Sequence, residues 1–410
     1  MKILTISHSD LNGGASIAAY RLHQEFLSAG IESKMLVGDK VGGCSEVSEI
    51  LPKSKILKFI NNIIYKFFHQ ISLPNTYYLS TFFIKRNQLI RNWADVIILR
   101  NVHGDYLSEN ILPFLTKHAV VLWRLPDMWA ITGHCVYSMD CEKWKTGCGS
   151  CPDLGTYYPL KFDTSKYLWN RKRKIYKKSK FKVIAPSYWM KNLTDQSPLL
   201  RMKETFYIPT GVDIDTFLPL DKLMIRKKFS IAPSALVIMF GSHQVDDPRK
   251  GGHLIPDIID FVQKKIKEKI IIVTIGSGTL SLNGMNVKHI HLGKINNDIV
   301  MNKVYNLADL YALPVLADNL PNTLVEASAA GIPSIVFDVG GCSEIVVNGK
   351  SGYVVEKQNI EKFGSAIIRL LLDKELRNKF SNEAREIAKN KYSIKNQANS
   401  YLKLINEAIS

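Results

Sequence analysis

The chain has 410 residues, 46% of them hydrophobic, which is enough for about two packed domains. No run of roughly 18 apolar residues occurs, which excludes a transmembrane helix from the expectation. The net charge of +17 is lopsided: residues 1–207 hold 29 basic and 16 acidic side chains, and the remainder 25 and 21, so the first half is expected to face nucleic acid, anionic lipid or a phosphorylated ligand.

From the N-terminus, short apolar runs alternate with helix-period segments, the pattern of α/β domains with parallel sheets. Lys2–Ser7 is predicted as a strand, Asn12-Gly13-Gly14 as a turn and Ala15–Ala29 as an amphipathic helix. This start lacks the apolar core and cleavage site of a signal peptide, so a cytoplasmic protein is expected. Gly13 and Gly14 let a backbone approach a ligand closely, and the helix behind them offers amides; an ordinary turn is the plainer alternative. Further strands are predicted at Ser33–Val37, Asp95–Leu99, Ala119–Trp123 and Lys182–Ala185. Lys53–Ile71 is basic, aromatic and amphipathic, which suits an anionic membrane interface or a domain helix whose apolar side is core. Arg171–Lys182 has 8 basic residues in 12, a lipid-facing surface or a solvated one.

The segment HCVYSMDCEKWKTGCGSC carries Cys135, Cys141, Cys148 and Cys151, four thiols within 17 residues. In a cytosolic chain this favours a metal over disulfides, and the closing C-x2-C with Gly149 permits the knuckle of a tetrahedral thiolate site. Structural zinc held by all four is expected, with free thiols or two disulfides as the alternatives. Cys44 and Cys342 are isolated and read as buried thiols.

In the second half, strands are predicted at Leu236–Phe240, Ile270–Ile275, Val287–His291, Leu310–Leu313 and Ser334–Phe337. Gly241–Gly252, GSHQVDDPRKGG, is a strand end, a polar loop and a basic helix start with Arg249 and Lys250. Leu313–Gly341, LPVLADNLPNTLVEASAAGIPSIVFDVGG, is a strand end, a polar loop, a helix start and a second strand closing in Gly-Gly. Asp318 and Glu326 bracket seven residues of it. Amides at such a helix start suit a phosphate or a sugar hydroxyl, so a ligand is expected at the carboxyl edge of a parallel sheet. Glu326 taken alone could be a first-turn helix-dipole glutamate.

The last segment closely resembles the E-x7-E stretch of the retaining family 4 glycosyltransferases, with Asp318 in place of the first Glu. The resemblance extends over most of the chain: IPTGVDIDTFLP resembles the family's domain-junction motif, APSYW its APS segment, and TGHCVYS a cysteine-bearing stretch of related polysaccharide enzymes. It implies the GT-B fold, two Rossmann-like domains facing a cleft, with the C-terminal helix crossing back to the first. The domains expected are 1–207 with 393–410 on the acceptor side, and 208–392 on the nucleotide-sugar side. By the resemblance, Arg249 and Lys250 neutralise the donor diphosphate, Asp318 and the loop Asn319, Leu320, Pro321, Asn322 and Thr323 hold the sugar, and Glu326 holds the ribose hydroxyls. Gly13 and Gly14 lie opposite the diphosphate; Gly276–Gly278 and Leu292–Ile295 lie near the base or are ordinary turns. Many relatives carry a histidine where this chain has Pro126; Asp127 remains, as an acceptor of the attacking hydroxyl's hydrogen bond or as a turn cap.

The reading that follows is a retaining hexosyl- or N-acetylhexosaminyl-transferase. It would move a sugar from a UDP- or GDP-sugar to a lipid-linked saccharide in bacterial surface polysaccharide synthesis: O-antigen, capsule or exopolysaccharide. Asp318, Lys250, Arg249 and Asp127 are its expected catalytic residues, with no catalytic divalent metal; Asp213-Ile214-Asp215 lies in the junction motif and is assigned none. It is expected to sit on the anionic inner face of the plasma membrane and to bind no nucleic acid. The alternatives are a GT-B sugar-nucleotide epimerase or hydrolase, and a basic zinc-containing nucleic-acid binder.

Overall fold

The computed structural model describes residues 1–409, which divide into two compact units. The first comprises Met1–Pro209 with the C-terminal segment from Ala398; the second comprises Thr210–Gln397.

The first unit is built on seven strands: β1 Lys2–Ser9, β2 Glu32–Asp39, β3 Val47–Glu49, β4 Val96–Leu99, β5 Val120–Arg124, β6 Phe181–Ala185 and β7 Thr205–Tyr207. Their order is β3-β2-β1-β4-β5-β6-β7, and every neighbouring pair is parallel. Parallel strands need crossovers, and the crossing segments cover both sheet faces. That is why central β4, Val-Ile-Ile-Leu, is apolar and buried at all four positions rather than alternating. Helix Gly14–Ser28 packs on this sheet through Ala18, Ala19, Leu22 and Phe26.

One helix departs from that rule. Lys55–Gln70, started by Ser54 capping the Leu57 amide, has no buried residue. Ile56, Phe59, Ile63 and Phe67 are exposed at 71%, 64%, 52% and 57%. Its apolar side is therefore not core, and the core-helix alternative is set aside. The basic run 171–182 is also not one uniform surface. Lys172 is buried and donates to the carbonyls of Trp129 and Thr132 at 2.6 and 3.1 Å, and Arg171 pairs with buried Glu109.

The second unit repeats the plan with β8 Leu236–Gln244, β9 Ile270–Ser277, β10 Val287–His291, β11 Leu310–Leu313, β12 Ser334–Phe337 and β13 Gly352–Val355. The order is β10-β9-β8-β11-β12-β13, again all parallel. One apolar core runs through it, including Phe217, Tyr305, Tyr311, Phe337 and Phe363.

A buried ionic cluster fixes the two central strands. Asp309, just before β11, accepts from Arg226 Nη2 and from the Val237 amide of β8, each at 2.8 Å, and Lys222 reaches its other oxygen at 3.1 Å. Arg226 also donates to the carbonyls of Leu307 and Pro233. Burial pushes the Asp309 carboxyl up, but Lys222, Arg226 and the amide outweigh it and hold the group below the usual carboxylate range. Its folded value lies below the unfolded one. The stabilisation is therefore complete above the unfolded value of about 4 and is lost as pH falls through the folded value. Asp309→Ala would leave the Arg226 charge buried without its partner. The expected cost is about 3–5 kcal/mol in urea unfolding at pH 7, narrowing as the pH is lowered below about 4.

Candidate active site

Both sheets reverse their strand order at one place, between β1 and β4 and between β8 and β11. At such a switch point the flanking connections leave on opposite faces, opening a crevice beyond the carboxyl ends of the strands. The chemistry-bearing loops of each unit lie there.

In the second unit the loop after β8 ends in a short turn, Pro248–Lys250, capped by Asp247 on the Arg249 amide at 2.9 Å. Gly251 follows at φ +73°, where a Cβ would stand 1.8 Å from the Pro314 carbonyl oxygen, so only glycine lets this turn press on the end of β11. That contact brings Lys250 Nζ onto the Asp318 carboxylate. Arg249 Nη1 stands 3.8 Å from the same oxygen and donates to the Ala317 carbonyl at 2.9 Å. Burial raises the Asp318 carboxyl, and Lys250 with Arg249 more than offsets it, so the net direction is down.

The Asp318 backbone is pinned from the far side. Gly340, after β12, has φ +55°, and a Cβ there would meet the Asp318 carbonyl oxygen at 1.6 Å. The Gly341 amide donates to the Asn319 carbonyl at 2.7 Å. Asn319 and Leu320 are buried behind the loop. Pro321 then takes the N-cap position of helix Asn322–Ala329, with no side-chain cap, so the helix's positive end lies in the loop. Thr323 hydrogen-bonds the buried Tyr311 hydroxyl, which also donates to the Gly241 carbonyl at 2.7 Å. Glu326 lies beyond the first turn, so the helix-dipole alternative does not describe it. Its carboxylate is 7% exposed at the residue level and accepts from the Tyr305 hydroxyl at 3.0 Å.

His243 is lowered first by burial and then by the Lys294 and Lys250 ammoniums, which identifies Lys294 as a further cation beside the loop. The imidazole is thereby held neutral at pH 7 and adds no charge to the cluster.

In the first unit, the loop after β1 is organised by Asp10, whose oxygens accept from the amides of Leu11, Val41 and Gly42 at 2.8–2.9 Å. Gly13 has φ +88° and faces open space, and Gly14 begins the helix. The loop after β5 carries Asp127, and both readings of it have a counterpart in the geometry. One oxygen caps the Trp129 amide at 2.9 Å; the other meets His103 Nε2 at 2.9 Å. His103 comes from the loop after β4, stacks on Trp129 at 5.3 Å and meets the Tyr158 ring edge-on at 5.9 Å. This histidine was missed in the sequence because it is far from Asp127 along the chain. The available signal was its place, His-Gly-Asp just beyond a buried strand.

Cys135, Cys141, Cys148 and Cys151 line one small cavity. All six cysteines are free, so the disulfide alternative is set aside, and Cys44 is half-buried rather than buried. Among the described residues, no group of three or more His, Cys, Asp or Glu side chains stands, as placed, at metal-binding spacing, and no helix is long and apolar enough to cross a membrane.

Residues 228–387 match the family model described as glycosyl transferases group 1. Over 380 residues the chain is 24% identical to WcaC of Escherichia coli (strain K12), named for a colanic acid biosynthesis glycosyl transferase, covering 88% of this chain and 89% of that one. Its fold is similar to the sucrose-phosphate synthase tll1590 of Thermosynechococcus elongatus, with a TM-score of 0.71 at 15% identity over 100% of this chain and 99% of that one. The Anabaena HepE protein in complex with UDP and glucose gives 0.67 at 14% identity, over 99% and 100%. These likenesses show the GT-B fold.

The Lys250–Asp318 pair makes opposite predictions for its two members. Lys250→Ala should weaken binding of UDP or GDP about tenfold, on the order of 1.4 kcal/mol. Asp318→Asn should tighten it, because a competing carboxylate is gone. Titration calorimetry with both nucleotides reads the two signs.

Proposed function

We propose that the chain is a group 1 glycosyl transferase, a reading supported by the family match over residues 228–387 and the likeness to WcaC, and that it moves a sugar from a UDP- or GDP-sugar, with retention at the anomeric carbon, onto a lipid-linked saccharide during bacterial surface polysaccharide synthesis. The observation that carries the reading is the convergence of Lys250, Arg249 and Asp318 at the β8/β11 switch point, with Glu326 one helix turn behind. A diphosphate takes the place of Asp318 on the two cations. The positive end of helix Asn322–Ala329 adds its dipole, and the Glu326 carboxylate accepts two ribose hydroxyls.

The bond from the anomeric carbon to the phosphate oxygen breaks, and the bond to the acceptor oxygen forms on the same face. The acceptor's proton passes to the departing phosphate oxygen. Lys250, Arg249 and the helix dipole stabilise the charge that grows on the diphosphate, an electrostatic contribution set before the reaction starts. Asp318, freed from Lys250, accepts from sugar hydroxyls. In the first unit the His103–Asp127 pair is the positioning element for the acceptor hydroxyl: Asp127 holds the ring through Nε2, and Trp129 and Tyr158 hold its plane.

Nucleotide release from a panel of UDP- and GDP-sugars, with lipid extracts as acceptors, tests this. One donor should release nucleotide only when acceptor is present, and the product's anomeric proton should show the donor's configuration. Glu326→Ala should lose roughly a hundredfold in kcat/KM through the donor, the loss expected for two charge-assisted hydrogen bonds. His103→Phe should raise the acceptor KM and leave the donor Kd unchanged. No release from any donor would overturn the reading.

A lipid-linked acceptor requires access to a membrane surface, and helix Lys55–Gln70 supports it. Its exposed Ile56, Phe59, Ile63 and Phe67 are accompanied by Lys55, Lys58 and Lys66, with no acidic residue in the helix. Phe82 of the neighbouring helix Leu79–Arg86 extends the apolar patch, and Lys85 and Arg86 end that helix. Apolar area plus a basic rim matches an anionic interface, and the like charges disfavour a second copy of the same face. The chain should therefore sediment with phosphatidylglycerol vesicles and not with phosphatidylcholine. The variant Phe59→Ser, Ile63→Ser, Phe67→Ser should lose that binding while keeping nucleotide affinity.

A further inference from the structure

Residues 131–164 join a short turn, Met128–Ala130, to helix Ser165–Lys177 with only the 3-10 turn Lys143–Lys145 between. A connection this long without regular structure inside a compact unit needs its own cross-link or core. Its core is small: Ile131, Tyr137, Trp144, Tyr158 and Leu160 are the large buried apolar side chains. Its backbone is costly. Gly147, Cys148, Gly149 and Ser150 all have positive φ, at 120°, 57°, 93° and 47°. For Cys148 and Ser150 that conformation opposes folding unless the surroundings enforce it.

What the turn accomplishes is to bring two thiols to one side. Cys148 and Cys151 line the same small cavity as Cys135 and Cys141, which arrive from separate bends of the segment. The knuckle is held by the Gly149 amide on Ser165 Oγ at 3.0 Å and the Cys151 amide on Asp163 at 2.8 Å. Beside it stands His134. Its Nδ1–H donates to the Tyr158 carbonyl at 2.6 Å, and its Nε2 lies 3.3 Å from Cys151 Sγ. An imidazole tying a thiol to a backbone carbonyl is the kind of outer partner that orients metal ligands.

We propose that Cys135, Cys141, Cys148 and Cys151 close as thiolates on one zinc-class ion, and that this ion fixes the segment bearing Tyr158 against the His103–Asp127 pair. Four soft donors and a C-x2-C knuckle suit tetrahedral zinc, and with all four positions filled by protein the ion is structural. Each thiol gives its proton to solvent as the ion binds. The mechanical link is short. The His134 ring holds the Tyr158 carbonyl, Thr132 Oγ1 holds the Cys135 carbonyl, and the Val136 carbonyl accepts from the Met128 amide, next to Asp127. The proposal does not depend on sugar transfer and stands or fails separately from it.

The test begins with the whole purified chain. Elemental analysis should give about one zinc per chain, and X-ray absorption at the zinc edge should show a sulfur-dominated first shell. Titration with an organomercurial should release that zinc in step with modification of the four clustered thiols, while Cys44 reacts independently. Cys148→Ser should lose the zinc; Cys44→Ser should keep it. Should Cys148→Ser fail to fold, the wild-type titration still decides. A stable chain without transition metal, zinc surviving in folded Cys148→Ser, or release unlinked to those thiols would each overturn the proposal.

Discussion

Parallel pairing is the constraint from which the rest of this molecule follows. A parallel strand cannot return to its neighbour through a tight turn, so each crossover traverses a sheet face and the carboxyl ends of the strands all point one way. When the strand order reverses, two connections separate and nothing fills the gap between them. In the second unit the gap lies between β8 and β11, and the groups that edge it are Lys250 and Asp318. The buried Asp309–Arg226 cluster serves the same purpose from below. It ties the starts of those two strands, so their ends hold a fixed separation.

The loop around Asp318 shows how little freedom the backbone has there. Gly251 and Gly340 each allow an approach to a carbonyl oxygen that a Cβ would forbid, one from the β8 side and one from beyond β12. The Asp318 loop is therefore clamped between two glycines that are distant in sequence. Its side chain points toward the cations, and Lys250 and Arg249 hold it there.

How much of this could be read from the sequence depends on whether the cause is local. The long apolar strands were legible because burial on both faces leaves continuous runs, as in Ile270–Ser277. β3, β7 and β13 were not, since three or four partly buried residues carry no period of their own. The Lys250 and Asp318 loops were legible as motifs, but their ion pair was not, because it depends on how closely Gly251 meets Pro314. His103 escaped notice because its partner lies beyond a helix and a strand along the chain. The helix Lys55–Gln70 shows the limit from the other direction. Periodicity identifies an apolar face, but only the packing tells whether anything covers it.

The Lys250–Asp318 pair also sets a threshold for what can bind. Lys250 already has an internal counter-ion, so an incoming anion must displace a carboxylate tethered beside it rather than only water. A single charge, such as acetate or bicarbonate, offers Lys250 no more than Asp318 does. A diphosphate, the ligand proposed for this loop, carries charge enough for both Lys250 and Arg249 and would replace the displaced contact twice. A pair of this kind would disfavour the abundant small anions of a cell by occupying the cation's own site, without any steric gate.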